Sequence, residues 1–131
     1  MFERNVKELS DLVAVSRGDK GADFFFRRAR VVNVFTGEIL RSNVAIYKNR
    51  IAYVGDSETM LKRNTVVLDV EGAYLIPGFI DAHCHPDLFC NPAAFSDWAV
   101  KTGTTTVLVD VQDMCNSFGM RGFENLLSDS V

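Results

Sequence analysis

Apolar residues change their period along this chain, and each change marks a new kind of element. Val6, Leu9, Leu12 and Val13 recur on one helix face, and Arg17-Gly18 supplies a stop. From Asp23 the period falls to two. Phe24–Phe26, Arg30–Phe35 and Glu38–Leu40 read as strands, with Thr36-Gly37 as the tight turn joining the last pair. Asn43–Tyr47 and Ile51–Val54 read as a second hairpin around Lys48-Asn49-Arg50. Asp56 or Ser57 is a candidate cap for a short helix reaching Lys62. Val66–Val70 returns to strand, and Glu71-Gly72 turns the chain into Tyr74–Ile76. The expectation up to residue 76 is a helix followed by a small antiparallel β unit, part of a sandwich or half-barrel.

After Pro77-Gly78 the pattern changes again. Phe79–His85 reads as a strand, and Asn91 caps a helix with Pro92 at its first position. Phe95, Trp98, Ala99 and Thr102 share the helix face expected to lie on a sheet, and Gly103 ends the helix. Thr104–Asp110 is β-branched and apolar. Strand, helix and strand with short connections predict parallel pairing. The chain therefore divides into residues 1–76, a helix and small β-sandwich domain, and residues 77–131, a run of βα units with a parallel sheet that would open a barrel. A closed barrel takes eight strands and usually ~250 residues, so the expectation is a fragment.

Composition narrows the function classes. Of the 131 residues, 47% are hydrophobic and 24% charged, which fits a core-forming chain rather than a disordered one. A formal net charge of −3 offers no basic footprint for nucleic acid. No apolar run approaches the ~20 residues of a membrane span, and the opening MFERNVKELSD lacks the apolar core of a secretory signal. Cys84, Cys90 and Cys115 follow no C-x-x-C spacing and read as reduced thiols of a cytoplasmic protein.

The candidate chemistry sits at the end of the first barrel-type strand. His83 and His85 are the only histidines. Alternation projects Asp81, His83 and His85 to one face and Ile80, Ala82 and Cys84 to the other. Two imidazoles at i and i+2 have the separation needed to share one divalent ion, and Asp81 is placed to orient an imidazole. Parallel barrels put their active sites at this end of the strands, which also makes Asp110, at the end of the second strand, a candidate. Gly37, Gly72 and Gly78 read as turn requirements, and no phosphate-cradling glycine pattern occurs.

The segment Ile76-Pro77-Gly78-Phe79-Ile80-Asp81-Ala82-His83-Cys84-His85 resembles the P-G-x-[IV]-D-x-H-x-H signature of the amidohydrolase superfamily. Val13–Gly18, Ala22-Asp23 and the Arg30–Ile39 hairpin are similar to the opening of adenine deaminases. Gly103–Val107 and Asn116–Gly119 extend that likeness downstream. The resemblance implies a metal-bearing (β/α)8 barrel with His83 and His85 as ligands of manganese, iron or zinc. It also implies deamination of adenine to hypoxanthine and ammonia, a small-molecule purine-like substrate and a homo-oligomeric full-length form. Asp87, Asp110 and Asp113 are its candidate catalytic carboxylates. This sequence departs from the family at three positions. Asp87 replaces the glutamate of H-x-H-x-E, and Gln112 and Asp113 replace the histidine and glutamate of D-P-H-E. Gln112 cannot serve as a general base. A dihydroorotase-like or deacetylase-like amidohydrolase, or a fragment without catalysis, stay as alternatives.

Overall fold

A computed structural model describes residues 6–128. The chain forms two compact units, Met1–Ile76 and Pro77–Val131.

In the first unit, helix α1 (Val6–Arg17) precedes five strands: β1 (Phe24–Val32), β2 (Ile39–Tyr47), β3 (Arg50–Gly55), β4 (Val66–Asp69) and β5 (Tyr74–Leu75). They make one sheet in the order β3-β2-β1-β4, with β5 also on β1. β1–β2 and β2–β3 are antiparallel, as the hairpin signals predict. β4 and β5 instead run parallel to β1, so the unit is a mixed sheet rather than a purely antiparallel one. β1 is also continuous through the Arg27-Arg28 pair that interrupts the apolar pattern. A bulge between Phe26 and Ala29 absorbs the two arginines, with Arg28 at φ 59°. There the Arg28 amide donates to Asn43 Oδ1 at 3.0 Å, and its guanidinium forks onto Asp69 at 2.8 and 2.6 Å. Gly72, at φ 84°, turns the chain back beside the bulge, and its amide donates to the Arg28 carbonyl at 2.8 Å. That turn separates β4 from β5 along the same edge of β1.

One sheet face carries the core. Phe25 is 0% exposed and pairs across the ladder with Ala45; both pack with Val15 of α1, Ala22 and Met60. Lys20 reinforces the seam by bonding Tyr47 Oη of β2 at 2.7 Å and Asp11 of α1 at 2.9 Å. On the other face, Phe24, Phe26, Ile46 and Leu68 line an open apolar hollow. Residues 56–65 form turns, not the helix expected from Asp56. Their backbone donors are taken by side chains, as in Thr59 N–H to Ser57 Oγ and Lys62 N–H to Thr65 Oγ1, which competes with helical bonding.

The second unit runs β6 (Phe79–Cys84), a 3-10 turn (Pro86–Leu88), α2 (Pro92–Lys101), β7 (Thr104–Val109), α3 (Gln112–Phe118) and α4 (Met120–Ser128). β6 and β7 are parallel, with Ile80 opposite Thr106 and Cys84 opposite Val109. Asn91 caps α2 by accepting the Ala94 amide at 2.8 Å. Gly78 is required for clearance rather than for a turn, since a Cβ there would overlap the side chain of Thr105. Both faces of this two-stranded sheet are open: the adjacent residues Phe79 and Ile80 are 55% and 66% exposed. Trp98, expected against the sheet, is 74% exposed, while Phe95 and Ala99 are half-buried. A parallel sheet is ordinarily covered on both faces, so these strands have the surface of a partial domain.

Candidate metal centre

His83 lies in β6 and His85 directly follows the strand, and the two imidazoles come together, as alternation predicts for i and i+2. The rings meet edge to face with centroids 4.8 Å apart, and the two Nε2 atoms are separated by 3.1 Å. Nitrogens held ~2.05 Å from one tetrahedral zinc lie about 3.3 Å apart, close to this spacing. Asp110, the residue after β7, completes a group with His83 and His85 whose ligand atoms all lie within 4.8 Å of one another. Nitrogen and carboxylate oxygen donors together suit zinc and other divalent transition ions.

Parallel pairing explains the convergence. The Asp110 amide donates to the Cys84 carbonyl at 3.0 Å, which ties the end of β7 to the residue between the histidines. Asp110 Oδ1 also accepts the Gln112 amide at 3.0 Å. Asp81, expected to orient an imidazole, instead accepts the backbone N–H of His83 at 3.2 Å. The Nδ1 of His85 is buried without a hydrogen-bond partner among the described residues, leaving a donor position for a group outside them.

The remaining predicted positions separate. Asp87 lies in the 3-10 turn directly after His85, and its Oδ2 accepts the Met114 amide at 3.3 Å. Asp113 is exposed in the first turn of α3 and is not in the three-residue group. Gln112 takes part through its backbone. Cys84 is half-buried and also outside the group; burial, with a smaller push from Asp81 and Asp87, raises its thiol above the ordinary range. Sequence spacing named Asp110 as a strand-end residue, but the link from Asp87 to Met114 joins distant segments and left no local signal.

No family profile matches the chain. It is 40% identical over 121 residues to an adenine deaminase of Kosmotoga olearia, covering 92% of this chain and 20% of that protein. An adenine deaminase of Cenarchaeum symbiosum is 38% identical over 126 residues, again 95% of this chain but 21% of the relative. The chain is homologous to adenine deaminases. It spans about a fifth of their length. Among solved structures, the N-acyl-D-glutamate deacylase of Bordetella bronchiseptica, complexed with zinc and a phosphonate inhibitor, superposes with a TM-score of 0.56 at 27% identity. That match covers 68% of this chain and 18% of the deacylase. A prolidase complexed with N-methylphosphonate-L-proline gives 0.54 at 25% identity, over 74% of this chain and 29% of the prolidase. The adenine deaminase homology thus coincides with the fold of amidohydrolases and supports the use of a divalent metal. No helix among the described residues is long and apolar enough to cross a membrane.

Proposed function

We propose that this chain supplies the opening part of the metal centre of an adenine deaminase-like amidohydrolase, which converts adenine and water to hypoxanthine and ammonia. The convergence of His83, His85 and Asp110 at one end of two parallel strands carries the reading. In it, His83 and His85 hold a divalent cation (manganese, iron or zinc) through their Nε2 atoms. The bound ion supplies a water acidic enough to act as a nucleophile near neutral pH. Asp110 stands within reach as a third donor or a carboxylate that accepts a proton, with its Oδ1 already steadied by the Gln112 amide. Asp113 is the weaker candidate, because it lies outside this group.

The domain organisation follows the same reading. Residues 1–76 form part of a composite β-sandwich, whose open face of Phe24, Phe26 and Leu68 is covered by later strands of a longer protein. Residues 77–131 begin a barrel whose other strands bring the remaining ligands. The chain by itself is inactive, the whole protein works in the cytoplasm on a small purine-like molecule, and it assembles as a homo-oligomer. The likeness to a zinc-complexed deacylase, with Gln112 in place of a histidine, favours one second reading: hydrolysis of an acyclic amide.

The test is a chimera. The aligned fifth of the Kosmotoga olearia adenine deaminase is replaced by this chain, and ammonia release from adenine is followed. Activity that disappears with His83→Ala supports the proposal. A folded, metal-loaded chimera that is inert on adenine but cleaves N-acyl amino acids rejects the substrate and favours the second reading.

A further inference from the structure

Helix α3 starts two residues after Asp110, and its own first residues cannot satisfy its amide groups. Val111 at the N-cap has no side-chain oxygen, and no side-chain cap is made there. The amide of Met114, the third helical residue, is the donor an N-cap side chain normally takes. Here it donates to Asp87 Oδ2, at 3.3 Å and from a segment 27 residues earlier. The carboxylate comes from the turn after His85 and lies at the positive end of the α3 dipole. Its other oxygen, Oδ1, is buried and has no hydrogen-bond partner among the described residues.

Three bonds then close a ring that passes through His85. Cys84 O accepts the Asp110 amide, Asp110 Oδ1 accepts the Gln112 amide, and Asp87 Oδ2 accepts the Met114 amide. The His85 turn is thereby coupled to Asp110 twice, once through β6 and once through α3. The Asp87 bond is the side-chain hydrogen bond that ties α3 to the His85 turn, so its loss loosens the second of these couplings.

We propose that Asp87 is a positioning residue: it caps α3 from the His85 turn and so fixes Asp110 against His83 and His85. The inference rests on the metal-centre reading above. It assigns Asp87 a structural hydrogen bond rather than a place on the cation, so the acceptor oxygen matters and the negative charge is secondary.

Cobalt(II) titration of the 131-residue chain, read by visible absorption, and amide exchange at Met114, read by NMR, test the two halves separately. Asp87→Ala is expected to speed Met114 exchange about ten-fold and to weaken cobalt binding about ten-fold. Asp87→Asn, whose amide oxygen still accepts, should stay close to the parent in both. If Asp87→Ala does not fold, Asp87→Glu replaces it, because the longer side chain overshoots the Met114 amide. Unchanged Met114 exchange on loss of the carboxylate overturns the cap. Protected Met114 with cobalt binding lost in Asp87→Asn overturns the positioning role in favour of a charge on the ion. If the parent and His83→Ala bind cobalt equally, the metal-centre reading fails and the positioning claim fails with it, while Met114 exchange still decides the cap.

Discussion

Replacing Phe25 or Phe24 by alanine removes the same atoms from neighbouring positions on opposite faces of one strand, and the two losses should differ sharply. Phe25 is 0% exposed in the core with Val15, Ala45 and Met60, so its truncation costs about 3–5 kcal/mol. At roughly 0.05–0.15 kcal/mol per residue, a unit of this size has about 4–11 kcal/mol to lose. Phe25→Ala should therefore remove between about a quarter and all of the first unit's stability. Phe24 is already 44% exposed. Full burial of such a side chain is worth about 1.5–3 kcal/mol, so Phe24→Ala should cost only about 1–1.5 kcal/mol. On the composite-sandwich proposal later strands cover that face in the chimera, and the Phe24→Ala cost should rise there toward the Phe25 range. Urea titration followed on backbone amide signals of β1 and β2 measures both. Equal losses for the two variants in the isolated chain would refute the one-faced core. An unchanged Phe24→Ala cost in the chimera would refute the composite sandwich.

Other perturbations probe the rest of the molecule. His85→Ala should abolish stoichiometric zinc or cobalt binding, whereas Cys84→Ala should leave it intact; calorimetric titration separates the two, and loss with Cys84→Ala alone would favour a thiolate ligand. Gly78→Ala should cost about 1–3 kcal/mol by overlap with Thr105, and a Gly78→Ala/Thr105→Gly pair should recover most of it in thermal melts of the second unit. The Arg28 guanidinium, then the Glu71 amide, holds Asp69 below the usual carboxylate range. A depressed folded value means stability present above about pH 4 and lost as the pH falls through the folded pKa. Asp69→Asn should accordingly flatten the acid limb of the first unit's stability profile.

Where local chemistry dictates structure, the sequence was a sufficient guide. Asn91-Pro92 at the start of α2, the Thr36-Gly37 and Lys48-Asn49-Arg50 turns and the i, i+2 histidines all act within a few residues, although β1 ends at Val32 and not at the expected Phe35. The failures arise where distant groups decide. The Arg27-Arg28 interruption reads as a strand break until Asn43 and Asp69 are seen to satisfy it. β4 and β5 carry no mark of parallel pairing, because direction is set by how the chain crosses from β3 to the far edge of β1. Trp98 and Phe95 have the spacing of a packed face, yet the described residues provide too little sheet to cover Trp98. At the metal centre, spacing identified each strand end separately. Their meeting depends on the β6–β7 register, which no single segment encodes.

The position of β1 also has a consequence for the order of assembly. Its antiparallel neighbour β2 follows within one turn, but its parallel neighbours pair Phe24 with Val66 and Arg30 with Tyr74, closing much longer loops. As the chain emerges from the ribosome, the β1–β2–β3 meander can form before either parallel strand exists. Until Asp69 is out, the start of β1 presents an unpaired edge that carries three consecutive phenylalanines, Phe24 to Phe26. A pause in synthesis within residues 56–65 would prolong that exposure, and an open apolar edge is the template on which strands of another chain add.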